Sequence, residues 1–158
     1  MKIKSAFSLI LCLVLCQSVG GLGAFFTYPE IEGWHASLQK PSFNPPNWVF
    51  SPVWTTLYVL MGISLWTILN AEKTAAKKTA LIAFTLQLIL NSIWSFLFFN
   101  LHSPFAALVE VIFLWFAILF WIIKTYPVCK WGALINIPYL MWVSFASLLN
   151  FSFWKLNV

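Results

Sequence analysis

Long apolar stretches separated by short polar segments make up most of the chain. Each stretch is close to the roughly 20 residues that an α-helix needs to cross a bilayer. Backbone polar groups in lipid must be bonded internally, and these lengths suit helices better than the shorter strands of a barrel. The pattern predicts an all-α membrane protein in which five transmembrane helices form one domain over residues 1–158. The predicted helices cover residues 5–26, 48–70, 80–100, 105–123 and 132–153.

Composition and charge support this interpretation and orient the chain. Of 158 residues, 61% are hydrophobic and 8% are charged, unlike an average soluble domain. Positive residues favour the cytoplasmic side of a membrane. With five helices, seven of the nine lysines fall on one side, and only Lys40 and Lys155 fall on the other. We therefore expect a cytoplasmic N-terminus and an external first loop. The absence of arginine favours a bacterial plasma membrane, and a mitochondrial outer membrane remains an alternative. The lysines are divided among short loops, so a nucleic-acid partner is not expected.

The first predicted helix allows two alternatives. Lysines followed by an apolar run also describe a signal peptide, but its removal would leave an even number of helices and weaken the lysine asymmetry. Cys12 and Cys16, one turn apart, permit a shared metal. Buried cysteines more often act as small apolar residues. We therefore expect no metal site and no required cofactor.

The only long predicted loop, residues 27–47, is rich in proline where it approaches the second helix. Pro41, Pro45 and Pro46 lack a backbone donor and hold φ near −65°, which orders the segment without regular secondary structure. Loops of this length in compact proteins are usually functional or disordered. We expect a structured lid over the bundle, with Pro52 in the first turn of the second helix.

Three predicted helices carry stripes of aromatic and polar residues at helical spacing. The stripes are Trp54, Tyr58, Met61 and Leu65; Gln87, Asn91, Trp94 and Phe98; and Tyr139, Trp142, Ala146, Leu149 and Asn150. Large rings mixed with a few polar atoms are typical of an apolar ligand pocket with orienting groups. Simple helix packing remains an alternative. For Trp34, Trp48 and Trp54, an interfacial belt of indoles is another.

Three more residues carry separate expectations. Pro138 lies inside the fifth predicted helix and cannot donate to the carbonyl of Leu134, so a kink is expected there. Glu110 is the only charged residue within the predicted helices, and a capping or interhelical hydrogen bond and a proton-handling role remain open. His102, in a short loop, is expected to be a polar surface residue.

Three segments carry a family resemblance that spacing alone does not establish. The segments GWHASLQKPSFNPPNWVFSPVWTTLYVLMG, LNSIWSFLFF and PYLMWVSFASLLN closely resemble the tryptophan-rich sensory protein and translocator protein family (TspO/MBR, or peripheral benzodiazepine receptor family). The resemblance implies a five-helix membrane protein, often a homodimer, that binds porphyrins and haem, and sterols in some members. The implied function is tetrapyrrole binding in a sensory or regulatory role. Light- and oxygen-dependent porphyrin degradation is the alternative, and transport of tetrapyrroles or sterols has less support.

The resemblance also implies site residues. The family's ligand pocket falls here on Trp34, Pro41, Pro45, Trp48, Trp54, Asn91, Trp94, Trp142, Ala146 and Leu149. Tyr58 joins them from its stripe, and His35 follows Trp34 in the loop. If the protein degrades porphyrin, Trp34 and Trp142 are the expected catalytic residues, supplying electrons or reacting with the excited porphyrin.

The chain departs from the family pattern at several positions. His35 stands at a usual tyrosine, Phe43 at a common tryptophan, and Ala106 at a tryptophan of animal members. The sterol-recognition pattern of animal members fails at Phe151, and such patterns are weak, so physiological sterol binding is not expected. A bond from His35 to haem iron remains open, with most affinity expected from stacking on indoles.

Overall fold

Helices form the regular secondary structure of residues 6–158, the part of the chain that the computed structural model describes. The α-helices are α1 (Ala6–Thr27), α2 (Trp34–Ser37), α3 (Asn47–Asn70), α4 (Ala75–Ser95), α5 (Pro104–Thr125), α6 (Lys130–Leu134) and α7 (Ile137–Leu156). A 3-10 turn, Tyr28–Glu30, continues α1, and a π-helical turn, Phe96–Asn100, continues α4. The predicted all-α fold is confirmed.

Within residues 6–158, five segments are long and apolar enough to cross a membrane, as the sequence predicted. They are Ala6–Glu30, Asn47–Asn70, Ala75–Asn100, Pro104–Thr125 and Lys130–Leu156. The third begins five residues before its predicted start, because Thr74 caps α4 by accepting a hydrogen bond from the Lys77 backbone amide at 3.1 Å. Residue 5 of the first predicted helix lies outside the described residues.

Close helix packing forms the core. At Gly62 of α3, an added Cβ would lie 3.0 Å from the Cα of Leu13 in α1, so only glycine permits this approach. The inner faces of the three stripes are buried as predicted, with Met61, Gln87 and Tyr139 fully excluded from solvent. The spacing of aromatic and polar residues therefore located the inward face of these three helices.

Two proline predictions were wrong in position. Pro52 is the sixth residue of α3, not part of its first turn, because the helix begins at Asn47. The carbonyl of Trp48 therefore receives no backbone bond from residue 52. Pro138 does not kink a continuous helix. The fifth span breaks between α6 and α7, and Pro138 lies in the first turn of α7, where its missing donor costs little.

A lid, defined here as residues 28–46, joins α1 to α3. It contains the 3-10 turn and the single helical turn α2, so it has more regular structure than its prolines predicted. Besides packing of its aromatic rings, two polar contacts attach it to the bundle. The Gln39 backbone amide donates to Asn157 Oδ1 at 2.8 Å, and Asn157 Nδ2 donates to the Gln39 carbonyl at 3.0 Å. At the other contact, Glu30 Oε2 lies 2.9 Å from His102 Nε2.

Candidate functional site

A cavity of about 900 Å³ lies beneath the lid, within the bundle. Residues from α1, α3, α4, α5 and α7 form its walls, and lid residues such as His35 and Asn44 form its roof. On the α1 side, the wall includes Gly20, Gly21 and Gly23, which have no side chains. The volume lies at the upper end of the range of small-molecule sites, roughly 300–1,000 Å³.

Nine of the twelve predicted ligand-binding residues line this cavity. They are His35, Trp48, Trp54, Tyr58, Asn91, Trp94, Trp142, Ala146 and Leu149. Trp54 lies well inside, its ring centroid 5.7 Å from that of Tyr58, so it is not a belt residue. Trp48 is 74% exposed at the start of α3 and forms the outer edge of the wall. The stripes therefore converge on one space.

The other three predicted residues, Trp34, Pro41 and Pro45, are not among those lining the cavity. The Trp34 ring stacks on that of His102, with centroids 4.5 Å apart and planes at 14°. The Pro41 carbonyl accepts a hydrogen bond from the Asn44 backbone amide at 3.0 Å, and the Pro45 carbonyl accepts one from Asn44 Nδ2 at 3.0 Å. These residues shape and attach the roof, while Asn44 contacts the cavity.

A chain of side-chain hydrogen bonds connects three helices at the cavity wall. The Tyr58 hydroxyl of α3 donates to Asn91 Oδ1 of α4. Asn91 Nδ2 donates to the Tyr139 hydroxyl of α7 at 2.9 Å, and that hydroxyl donates to Gln87 Oε1 at 3.0 Å. All four residues are buried. Apart from Gln87 Nε2, which has no partner in the described part of the chain, these polar groups satisfy one another and fix the spacing of the helices around the cavity.

A second polar connection lies nearer the lid. Trp94 Nε1 donates to Asn150 Oδ1 at 3.0 Å, and Asn150 Nδ2 donates to the Pro104 carbonyl at 2.7 Å. Pro104 is the first residue of α5, so the indole of Trp94 is held by a link between α7 and α5. The orientation of this aromatic wall is therefore fixed by the protein.

Three residues that line the cavity have a buried polar atom without a hydrogen-bond partner among residues 6–158. These atoms are His35 Nδ1, Asn44 Oδ1 and Trp142 Nε1. The His35 ring packs against Phe99 and Phe153, with centroids 5.7 and 5.4 Å away. Burial, and secondarily Lys40, lower the pKa of His35, so its imidazole is neutral at neutral pH.

Glu110 lies on the inner side of α5 and is 8% exposed. Neither carboxylate oxygen has a hydrogen-bond partner in the described part of the chain, so the capping or interhelical bond, one of the two alternatives left open for this residue, is not found. Ser103 caps α5 instead, accepting from the Ala106 backbone amide at 3.3 Å. Glu110 does not line the cavity, although Val111 and Leu114 beside it do.

The cysteines of α1 are both buried and free. Cys16 is fully excluded from solvent and belongs to the apolar core with Met61. Residues 6–158 contain no group of three or more histidine, cysteine or acidic side chains that could hold a metal ion.

Sequence reasoning missed several residues of this site. Asn157, near the C-terminus, attaches the lid across 118 positions of sequence, and no local pattern indicates such a partner. His102 is an exposed polar residue as expected, but the sequence did not indicate that it pairs with Glu30 and stacks on Trp34. The backbone of His102 has a φ of 50°, a conformation in which glycine or asparagine is more usual, so the residue type did not indicate it. The glycines of α1, by contrast, could have been recognised in the sequence as a part of the cavity wall that has no side chains.

The bundle and its covered cavity define an integral membrane protein with a space for an apolar guest. Comparison with known proteins identifies the family. The sequence model of the TspO/MBR family matches residues 12–155 of this chain. The chain belongs to this family.

Relatives are similar over almost their whole length. The chain is 41% identical over 155 residues to the tryptophan-rich protein TspO of Chlorobaculum tepidum, with 98% of each chain covered. It is 34% identical over 145 residues to the protein CrtK of Rhodobacter capsulatus, covering 91% of this chain and 89% of the relative. It is 37% identical over 147 residues to the translocator protein of Bos taurus, covering 90% and 86%. The predicted family is therefore confirmed.

Proposed function

We propose that the cavity beneath the lid binds a flat tetrapyrrole, porphyrin or haem, and that the protein has a sensory or regulatory role. The observation that carries the proposal is a covered cavity of about 900 Å³ with indole rings on several walls. Trp54 on α3, Trp94 on α4 and Trp142 on α7 can offer apolar faces to a planar macrocycle. A relative from Cereibacter sphaeroides that is named tryptophan-rich sensory protein supports the role.

The polar atoms of the site suit a guest with a polar periphery. His35 Nδ1, Asn44 Oδ1 and Trp142 Nε1 lack partners in the part of the chain that the structure describes, and buried polar groups normally have one. A neutral imidazole is also the form that binds a metal ion, so His35 fits haem as well as metal-free porphyrin. When bound, haem would supply an iron centre, and the chain's own residues would stack on and orient the macrocycle.

Absorbance titration in the dark tests this proposal. Protoporphyrin added to the purified protein should show a saturable shift of its main absorption band. Ala146→Phe, which fills the cavity, should weaken binding roughly tenfold or more. Leu148→Phe is the matched control, because Leu148 is on the same helix, is 55% exposed and does not line the cavity. Equal affinities for the two variants would contradict the proposed site.

The role of His35 is tested with two ligands. His35→Phe should alter the haem spectrum and leave metal-free protoporphyrin binding nearly unchanged if the imidazole bonds to iron. An equal loss for both ligands assigns His35 to packing of the roof.

Light- and oxygen-dependent porphyrin degradation is the second candidate. It is favoured by the indole of Trp142, which lines the cavity with an unpartnered Nε1. Trp34 is stacked on His102 and does not line the cavity, so its expected catalytic role has less support. Under illumination, Trp142→Phe should stop porphyrin loss while dark binding persists, and Trp34→Phe should not. Porphyrin that survives light with wild-type protein would reject this candidate.

Location, orientation and assembly complete the proposal. Five spans and the lysine distribution support a bacterial plasma membrane, with the N-terminus in the cytoplasm and the lid outside. A cysteine at Lys40, placed in a Cys129→Ser background, should react with an impermeant thiol reagent from outside. A cysteine at Lys124 should react only after permeabilisation.

Homodimer formation is tested by cross-linking. Tetrapyrrole transport, which relatives named translocator protein suggest, is tested by accumulation in sealed vesicles.

A further inference from the structure

A groove of about 620 Å³ lies on the outer face of α4, away from the lid. The lid covers the start of α3 and the end of α4, whereas this groove begins at the start of α4. Three lysines, Lys73, Lys77 and Lys78, form one end of it, and apolar side chains form the rest. It therefore has a cationic end and an apolar body.

Two of the three lysines are available for a ligand. Lys77 Nζ donates to the carbonyl of Leu69 at 2.6 Å and to that of Ala71 at 3.0 Å, so it serves the end of α3. The side chains of Lys73 and Lys78 form no hydrogen bond or ion pair within residues 6–158. Glu72, the acidic neighbour in sequence, is exposed and is not part of the groove. Two positive charges thus remain at the groove end.

The apolar body runs along the part of α4 that crosses the membrane. Ile82, Leu86 and Ile89 are 59%, 47% and 53% exposed, so bundle packing leaves them uncovered. Lys78 and Ile89 are 11 positions apart, which at 1.5 Å per residue is about 16 Å. Half of a hydrocarbon core of about 30 Å is about 15 Å. The groove is therefore about as long as one leaflet is thick.

We propose that this groove binds one phospholipid with an anionic headgroup. Its phosphate lies between Lys73 and Lys78, and one acyl chain follows Ile82, Leu86 and Ile89. Charge complementarity selects this occupant. A second copy of the chain packed symmetrically on this face would bring its own lysines against these, which costs free energy. A soluble anion would leave the apolar body uncovered.

Spin-labelled lipids in vesicles of phosphatidylcholine test the proposal. Labelled phosphatidylglycerol should associate with the wild-type protein more strongly than labelled phosphatidylcholine, by roughly fivefold for each lysine that contributes. The double variant Lys73→Gln/Lys78→Gln should lose most of this preference. Lys77 is left unchanged because it caps α3.

The matched control is Lys124→Gln/Lys130→Gln. It removes the same charge from the same predicted side of the membrane, outside the groove. Preserved lipid preference in this control supports a defined site, and an equal loss in both double variants would show only a general surface-charge effect. Competition by soluble glycerol phosphate at equal strength would also overturn the proposal. Size-exclusion profiles and far-ultraviolet circular dichroism confirm that each variant is folded.

Discussion

The side-chain amide of Asn91 links three of the helices that form the cavity wall. It accepts from Tyr58 and donates to Tyr139, so Asn91→Leu removes both bonds while keeping a side chain of similar size. Within membranes a side-chain hydrogen bond contributes about 0.6 kcal/mol on average, and in buried sites up to about 1.5 kcal/mol. Two bonds give an expected loss of about 1 to 3 kcal/mol. For a chain of this size the melting temperature should fall by roughly 2 to 12 °C.

The assay is unfolding of the purified protein in mixed micelles by titration with sodium dodecyl sulfate, supported by thermal melts. Ser92→Ala is the matched control, because its hydroxyl bonds only to the Leu88 carbonyl of its own helix. It should change the free energy of unfolding by less than about 0.5 kcal/mol.

A double-mutant cycle makes the test stricter. Tyr58→Phe should destabilise the wild-type protein but add almost nothing to Asn91→Leu, because its hydroxyl has already lost its acceptor. If the two changes add fully, or if Asn91→Leu is no worse than Ser92→Ala, then the hydrogen-bond chain does not hold the helices and the reasoning fails.

Three further predictions concern the lid and helix packing. Asn157→Ala should speed hydrogen exchange in the lid while exchange in the helices stays the same; unchanged lid exchange would show that other contacts hold it. The lowered pKa of His35 means that the unfolded chain binds a proton more readily, so acidification from about pH 7.5 to 5.5 should lower the melting temperature more in wild type than in His35→Phe. Gly20→Ala should destabilise by about 1 to 3 kcal/mol, because its Cβ would lie 2.6 Å from the Tyr58 ring. Gly21→Ala, with nothing within 4 Å, should be neutral or slightly stabilising. Equal melting temperatures for the two glycine variants would contradict this packing.

The helical part of the fold could be predicted because one physical rule sets it. A segment in lipid must be apolar and long enough to cross, so the five spans were visible in the sequence. Inward faces followed from periodicity, which is why Tyr58, Asn91 and Trp142 were expected together and line one cavity. Within these helices, the spacing of residues along the sequence was therefore enough to indicate which side chains face inward.

The lid could not be predicted in the same way. Its position depends on contacts between residues far apart in sequence, such as Gln39 with Asn157. Trp34 was expected in the cavity because of its residue type and resemblance, but its partner His102 lies in a separate loop. The break before α7 was also missed. Pro138 indicated a disturbance, but the sequence did not distinguish a bent helix from two separate ones.

The π-helical turn at Phe96–Asn100 has a consequence for chain length. Its wide turn is closed by the Leu101 backbone amide donating to the Phe96 carbonyl, five residues back, at 3.0 Å. Deleting one residue here would favour an ordinary helical turn and rotate the following residues by about 100°. His102 would then point away from both Glu30 and Trp34. Insertions and deletions near this turn would therefore disturb the attachment of the lid over the cavity, even when Glu30, Trp34 and His102 are all preserved.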